Sequence, residues 1–414
     1  MPATSDDPGR AANQPFEVVI AGGGVAALEA ALALHELAGE RVRMTLVAPT
    51  PEFVYRPMAV LEPFVDLAPR SLPLEELAAD VGATFLRATV ASVDPEQRVA
   101  HTAEGDALSY DALLIAVGAR PAALLPGADA MDPSRMEESF GGLIEAIDEG
   151  TVHRLGFIAP STTWPLPVYE VALLARERAG ERGLKLDVTI ITAERRPLEV
   201  FGERVSSAVA GLLVGSRIEL VTGAWVHSSA GRMILHPEGR EVALDRLVAV
   251  PKLLGPELAG LPADADGFLR TGPDGGVTGL ERVYAAGDAT DFPVKWGGIA
   301  AQQADAAAAS ITALAGILTV AEPFDGVVHG VLLVSRERQR LYFSARIERG
   351  CAEQSRVSDT PTLPPEAKIA ARHLGPYLDA LWAAGPRWVA QQLSWEAVLA
   401  RLEERFGDSA GPAT

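Results

Sequence analysis

Cysteine is nearly absent: Cys351 is the only one in 414 residues. A lone thiol excludes a disulfide framework, a thiolate zinc site and any intramolecular dithiol/disulfide couple. Lysine is also scarce, with Lys185, Lys252, Lys295 and Lys368 the whole supply, so nearly all basic charge is arginine. Lys and Arg number 36 against 55 Asp and Glu, a net charge of −19. That balance denies the chain the basic face of a nucleic-acid binder. It also opposes adhesion to an anionic membrane, leaving a local basic patch as the route to peripheral contact. Seven histidines are scattered without a ligand-spaced pair, so no metal site is expected. Long apolar runs are missing too. The longest uncharged helical stretch, 306–321, is alanine-rich and short of the ~20 residues that span a bilayer. The start, MPATSDDPGRAANQP, lacks the basic-then-apolar order of a secretory signal. The expectation is a soluble, cytoplasmic protein.

What is present is α/β patterning in a chain long enough for two or three domains at ~150 residues each. Phe16 to Ala21 is a short apolar run, as a buried parallel strand requires. Gly22-Gly23-Gly24 follows, then Val25 to Leu37, rich in Ala and Leu at helical spacing, then a strand from Arg41 to Ala48. Strand, glycine turn, helix, strand is one βαβ unit. Further strand-like runs lie at Ala83 to Val93 and Leu113 to Val117. From near Val152 the plan repeats: strand Leu155 to Ala159, helix Leu166 to Arg182, strand Leu186 to Thr192, helix Val205 to Val214, strand Ile218 to Val221. Arg282 to Ala286 reads as a strand running into Gly287-Asp288, and Gly298 to Leu318 as a long helix. Val327 to Val334 and Leu341 to Arg346 suggest a hairpin, and Ser358 to Pro365 a linker. Glu366 to Phe406 reads as two helices carrying Trp382, Trp388 and Trp395.

The chemistry-bearing motif is Gly22-x-Gly24-x-x-Ala27 between a strand and a helix. Gly22 permits the tight turn, Gly24 lets backbone approach a pyrophosphate, and Ala27 keeps helix and strand close. The helix N-terminus then stabilises the phosphate charge. The acid expected at the end of the second strand, for the adenosine ribose, is replaced by Ala48, so that contact moves to the backbone or toward Glu52.

Two further motifs, Tyr110 to Pro121 (YDALLIAVGARP) and Arg282 to Ala289 (RVYAAGDA), complete a set. Together the three resemble the fingerprints of two-dinucleotide-binding-domain FAD-dependent oxidoreductases, the pyridine nucleotide-disulfide oxidoreductase superfamily. Val117 stands where the middle motif usually has Thr. The segments Pro51 to Val60 and Lys295 to Gln303 resemble those of type II NADH dehydrogenases and sulfide:quinone oxidoreductases. The resemblance implies a non-covalent FAD held by Gly22, Gly23, Gly24, Val25, Ala26, Ala27, Arg56, Val90, Gly118, Gly287 and Asp288, with Gly298, Ile299 and Ala300 at the flavin. A helix N-terminus there carries roughly +0.5 charge and stabilises negative charge on the pyrimidine of reduced flavin. It also implies an α/β fold of two Rossmann-like domains. Residues 1–15 read as a flexible tail, 16–120 and 251–322 as the FAD domain, 121–250 as a degenerate NAD(P)-type domain inserted in it, and 323–414 as a C-terminal interface region.

That inserted domain lacks its own glycine fingerprint: Ala159 to Glu170 contains no glycine and three prolines. Proline removes amide donors, and side chains block pyrophosphate approach. The same stretch resembles the Pro-x-Pro-Tyr-Glu-like helix start of flavocytochrome c sulfide dehydrogenase and sulfide:quinone oxidoreductase, with Trp164 where those place a redox cysteine. Cys351 alone cannot form a pair, so their thiol chemistry does not carry over. Three side chains are catalytic candidates, each with a second reading. Glu170 relays protons to a quinone or a substrate or is a helix N-terminal glutamate stabilised by the dipole; Lys295 places charge near reduced flavin or is solvated; Trp164 stacks on flavin or plugs the nicotinamide site. The expected function is passage of electrons to a quinone or other small acceptor. The alternatives are an NAD(P)H:acceptor reductase with divergent nicotinamide binding and a non-catalytic FAD-binding scaffold. The C-terminal Trp and Leu positions suit packing or a homodimer interface better than a membrane anchor.

Overall fold

A computed structural model describes residues 14–384, apart from 57, 66–69, 123–124, 132–135, 160–165, 230–231, 320–321, 337–338, 349, 359 and 361–368. Trp164, Trp388, Trp395 and nearly all of the N-terminal tail therefore lie outside the described residues. The seven helices among the described residues are α1 (Val25–Ala38), α2 (Leu74–Asp80), α3 (Met136–Asp148), α4 (Leu166–Glu181), α5 (Glu203–Gly215), α6 (Gly297–Leu314) and α7 (Leu374–Ala384).

The apolar run Phe16–Ala21 is the central strand of a five-stranded parallel sheet. Val42–Ala48 and then Thr84–Arg87 lie on one side of it, and Ala112–Ile115 and then Val283–Ala285 on the other. A strand buried on both faces must be apolar at successive positions, and its side chains divide between two cores. Val18 and Ile20 join a core built with α1, α2, α6 and α7. Val19 and Ala21 join another with Val90, Val93, Leu113 and Val283.

A second parallel sheet repeats this order around Arg154–Ala159. Asp187–Thr192 and Ile218–Val221 flank it on one side, Arg246–Ala249 and Asp129–Ala130 on the other. Beyond it, Val327–Leu333, Arg340–Glu348 and Cys351–Ser358 form an antiparallel three-stranded sheet whose inner face packs on the second core.

Several expectations are refined. The run Ala83 to Val93 is two strands in different sheets, because Thr84–Arg87 pairs with Val42–Ala48 while Val90–Asp94 pairs with Val99–Thr102. Both halves have strand periodicity, so the break is a tertiary event. Helix α6 stops at Leu314, before Gly316 at φ +76, rather than at Leu318. The C-terminal hairpin gains a third strand. Trp382, on α7, packs on Tyr55 at a ring distance of 5.1 Å, with the Arg70 guanidinium 4.3 Å from its ring. Leu374, Tyr377, Leu378 and Leu381 are buried in the core shared with α1 and α2. The apolar face of α7 is thus used within the chain. Among the described residues no helix is long and apolar enough to cross a membrane.

Helix α6 shows why its alanine content is structural. Ala300, Ala301, Ala304 and Ala306 to Ala309 are all buried, and such small side chains let α6 lie close against α1.

The cross-strand pair Gly330↔Phe343 gives a test of packing in the C-terminal sheet. A Cβ at Gly330 would stand 2.1 Å from the Phe343 ring. Gly330→Ala is expected to destabilise by about 1–3 kcal/mol in urea denaturation. Gly211→Ala inside α5, where nothing lies within 4 Å, is expected to raise stability by about 0.5–1 kcal/mol.

Candidate functional site

All five strands of the first sheet deliver their carboxyl ends to one cleft of about 680 Å³. Its lining includes Gly22 to Ala26, Val47 to Thr50, Ala88 to Val90, Ala116 to Gly118 and Ala286 to Asp288, each group following or ending one strand. This is the crevice that open parallel sheets offer to ligands.

The glycines differ in what requires them. Gly22, at φ +132, has its Cα so close to the neighbouring strand that a Cβ would stand 2.1 Å from the Ala116 carbonyl oxygen. Its backbone N–H donates to Val47 O at 2.8 Å. Gly24 is the N-cap of α1, makes no side-chain capping bond, and faces open space with nothing within 4 Å of a Cβ. The first-turn amides of α1 therefore point at the cleft without a side-chain acceptor, the arrangement that binds a phosphate. Helix α6 starts from Trp296, also with no side-chain cap, and brings Gly297 and Ala300 into the cleft lining. These features suit a pyrophosphate at one helix N-terminus and a group acquiring negative charge at the other.

Of the cofactor residues expected from sequence, Gly22, Gly23, Gly24, Val25, Ala26, Val90, Gly118, Gly287, Asp288 and Ala300 line the cleft. Ala27 is buried beneath it. Gly298 packs against Ala370, and Ile299 enters the second core. Arg56 does not line the cleft; its guanidinium forks onto Glu62, with Nε donating at 3.0 Å. Thr50, Thr89, Arg120, Pro256 and Leu258 also line it. Thr50, Thr89, Pro256 and Leu258 sit in loops after strands, where a sequence pattern carries no signal, whereas Arg120 lies in the short strand Arg120–Pro121 at the end of the middle motif.

Glu52 lines the cleft beside Ala48 and Pro49, on the wall where the adenosine-ribose acid was missing from the sequence. Ser71 donates to its Oε2 at 2.5 Å across the Glu52–Tyr55/Arg70–Pro73 hairpin and orients the carboxylate.

Asp288 stands in densely packed surroundings that push its carboxyl upward, opposed by the charge of Lys295. Lys295 is 5% exposed, bonds the Thr290 carbonyl, and has Nζ 3.9 Å from the Phe268 ring centre. Burial lowers its pKa to about 8 against the opposing pull of Asp288, Asp291 and Asp264. It is a buried ammonium, and the solvated alternative is corrected. Gln303 Oε1 accepts the Gly287 amide at 2.9 Å and its Nε2 donates to Thr290 at 3.1 Å, locking the turn that carries Asp288.

Glu170 lies apart from this lining. It is fully buried on α4, and its Oε1 accepts the Leu333 backbone amide at 2.9 Å, tying α4 to the C-terminal sheet. The second domain also holds an acid that the sequence left unassigned. Glu194, just past strand Asp187–Thr192, turns inward and accepts from Tyr169 Oη (3.2 Å), Thr192 Oγ1 (3.3 Å), Leu198 N (3.2 Å) and Glu199 N (2.9 Å). In a Rossmann-like domain an acid here reads a nucleotide ribose; this one is consumed internally. Burial lifts its pKa to about 7 despite those four donors.

Among the described residues one group has ligand-like spacing, Glu29, Asp305 and His373. Both Glu29 oxygens already accept backbone amides, from His373 and Leu374.

The raised Glu194 pKa has a defined consequence for stability. Its contribution is complete below the ordinary glutamate pKa and is lost as pH rises through about 7. Stability is therefore expected to fall between about pH 4.5 and 7 by on the order of 3 kcal/mol from this group. Glu194→Gln should flatten that slope in denaturant titrations at a series of pH values; an unchanged slope would show that another group carries it.

Residues 16–310 match the family described as Pyridine nucleotide-disulphide oxidoreductase. The ferredoxin reductase component of chlorobenzene dioxygenase from Cupriavidus sp. (strain PS12) is 30% identical over 223 residues, 51% of this chain and 50% of that protein. The ferredoxin–NAD(+) reductase subunit of the benzene 1,2-dioxygenase system of Pseudomonas putida is 28% identical over 295 residues, 68% of each. The chain thus spans about half the length of the first relative and 68% of the second. The fold is shared with the sulfide:quinone oxidoreductase of Aquifex aeolicus at a TM-score of 0.72 and 20% identity, covering 94% of this chain and 95% of that one. With the glycine cradle, the two helix N-termini and a match over most of its length, the chain belongs to the pyridine nucleotide-disulphide oxidoreductase family and is an FAD-dependent oxidoreductase.

Proposed function

We propose that this flavoenzyme transfers electrons to a quinone or another small acceptor without a cysteine relay, holding FAD non-covalently in the cleft of the first sheet. The observation that carries the reading is that cleft, where glycine motifs from three strand ends meet and two uncapped helix N-termini face inward. Bound FAD supplies both hydride and single-electron chemistry. The protein's part is positional. Gly22 and Gly24 admit the pyrophosphate to backbone amides, Glu52 faces the adenosine ribose, and Asp288 faces the ribityl chain. The N-terminus of α6 stabilises negative charge at the pyrimidine end. On this reading residues 16–120 and 251–322 form the FAD domain, 121–250 the inserted domain, and 323–414 an interface region.

The absence of a thiol relay rests on the single cysteine. Cys351 is exposed at the start of the last strand of the C-terminal sheet, so an exchange partner would have to come from another molecule. The inward-turned Glu194 supports an inserted domain that does not take NAD(P)H in the usual way. A specific observation favours the second reading: two of the relatives are named as reductases of ferredoxin systems, one with NAD(+) in its name. A nicotinamide donor bound in a divergent manner is therefore the competing proposal.

Purified protein is expected to be yellow, with a flavin band near ~450 nm; a folded, colourless preparation that takes up no FAD would sink the proposal. Anaerobic NADH or NADPH should bleach that band slowly, whereas a fast bleach favours the nicotinamide reading. Lys295 supplies buried positive charge behind Asp288, so Lys295→Met should lower the reduction potential of the bound flavin. If the potential is unchanged, the lysine serves packing alone. For Glu170, a proton role predicts that Glu170→Gln slows quinone reduction and alters its pH profile. A tie to Leu333 alone predicts lower stability with the profile intact.

A further inference from the structure

Helix α6 opens on Gly297 and Gly298, and neither stands at positive φ. Backbone conformation therefore does not demand glycine there. What demands it at Gly297 is a distant segment, Ile369 to His373, laid against the N-terminus of α6. A Cβ at Gly297 would stand 2.9 Å from Ile369 Cγ1 and 3.0 Å from its Cδ1. The Ala370 backbone N and O lie 3.4 Å and 3.5 Å from where a Gly298 Cβ would be. Ile369 and Ala371 also pack against the core shared by α1, α2, α6 and α7. Gly297 itself lines the cleft, so Ile369 backs that stretch of its wall.

The segment is fastened where it enters α7. Glu29, fully buried in α1, accepts the His373 amide on Oε1 at 2.8 Å and the Leu374 amide on Oε2 at 2.6 Å. Its carboxylate thus caps the N-terminus of α7, and the amides and helix dipole offset the cost of burying it. The His373 ring is buried as well, with Nδ1 3.1 Å from Glu36 Oε2 on α1 and Nε2 3.6 Å from Asp305 Oδ1 on α6. Tyr377 Oη donates to Asp80 at 2.5 Å and fixes α7 on α2.

We infer that Glu29 and Ile369 are positioning residues for the flavin chemistry: Glu29 anchors the 369–373 strap, and Ile369 seats it on the N-terminus of α6, keeping water from the helix end assigned to the flavin pyrimidine. The inference rests on the FAD reading of that cleft. The partial positive charge of a helix N-terminus acts more strongly where water does not screen it. A seated strap therefore strengthens the preference of the site for reduced flavin, and a released strap weakens it. Helix α1 serves the cofactor twice on this account, through its own N-terminus and, one turn on, through Glu29. The two helices meet at the turn between them: the Ala26 and Ala300 Cβ atoms each lie 3.3 Å from where a Gly287 Cβ would stand.

The test is the reduction potential of the flavin in the full-length holoprotein, read spectroscopically against a reference dye. Gly297→Ala pushes Ile369 away and should shift the flavin equilibrium about tenfold toward the oxidised form, a potential ~30 mV lower for two electrons. Ile369→Ala opens the same wall and should lower the potential likewise. In the double variant the new methyl takes space that Ile369 leaves, so its potential should lie nearer the wild type than either single variant. Additive shifts would overturn the inference, because Gly297→Ala would then act on the cofactor directly. Glu29→Gln sets an amide group against one of the two N–H donors. It should lower the potential and speed hydrogen exchange at the His373 and Leu374 amides. A lower thermal midpoint with the potential unchanged would leave Glu29 a purely structural cap and overturn its role. If Glu29→Gln fails to fold, the Gly297/Ile369 cycle decides. A protein that takes up no FAD sinks the cofactor reading instead. Exchange at the same two amides still tests the docking, which is overturned if Gly297→Ala leaves it unchanged.

Discussion

At Gly22 there is no room for a side chain, and much of the cleft follows from that. The chain must leave the central strand, turn within three residues and enter α1 while passing the carbonyl of Ala116 on the adjacent strand. Any Cβ would collide with backbone, which cannot rotate away. Close approach of backbone to backbone at the carboxyl end of a parallel sheet is what leaves amides free to face a ligand. The neighbouring strands also end on glycines at positive φ, Gly118 at +76 in open space and Gly287 at +75 against the Cβ atoms of Ala26 and Ala300.

The second sheet shares the five-stranded parallel plan of the first, with its edge strand Asp129–Ala130 entering before the central strand rather than last. Its acid beyond the second strand, Glu194, is occupied by one phenol, one hydroxyl and two amides, so it acts as a bracket between α4 and the turn at Leu198. Glu170, one residue from Tyr169, ties the same helix to the C-terminal sheet. Both acids thus serve to pack α4 against its surroundings. Fold and site are separate properties, and the duplication of the sheet does not by itself duplicate the chemistry.

Charge is treated in the same way across the molecule. A net charge of −19 is carried largely on the surface, yet the buried titratable groups are each held by specific partners: Lys295 by Thr290 and Asp288, Glu194 by four donors, and Glu29 by the N-terminus of α7. Buried charge costs free energy unless it is paired and hydrogen-bonded. Each of these groups ties neighbouring elements together in the interior.

Much of this was legible in the amino-acid order. The central strand, the glycine turn, the strand Ile218–Val221 and the three cofactor motifs depend on local spacing and on glycine's freedom, which are properties of neighbours in the chain. The missing glycines of the second domain were equally plain, and so was the lack of a second thiol. What the order of residues left open was every contact between distant segments. The break of the run at Ala88, the fork of Arg56 onto Glu62, the inward turn of Glu194 and the capping of α7 by Glu29 are examples. Each joins groups whose own sequence neighbourhoods allow several orientations, and burial with a hydrogen-bond partner selects one of them. Local chemistry determined where a dinucleotide could be held; tertiary packing decided which acids face it and which are used to hold the fold.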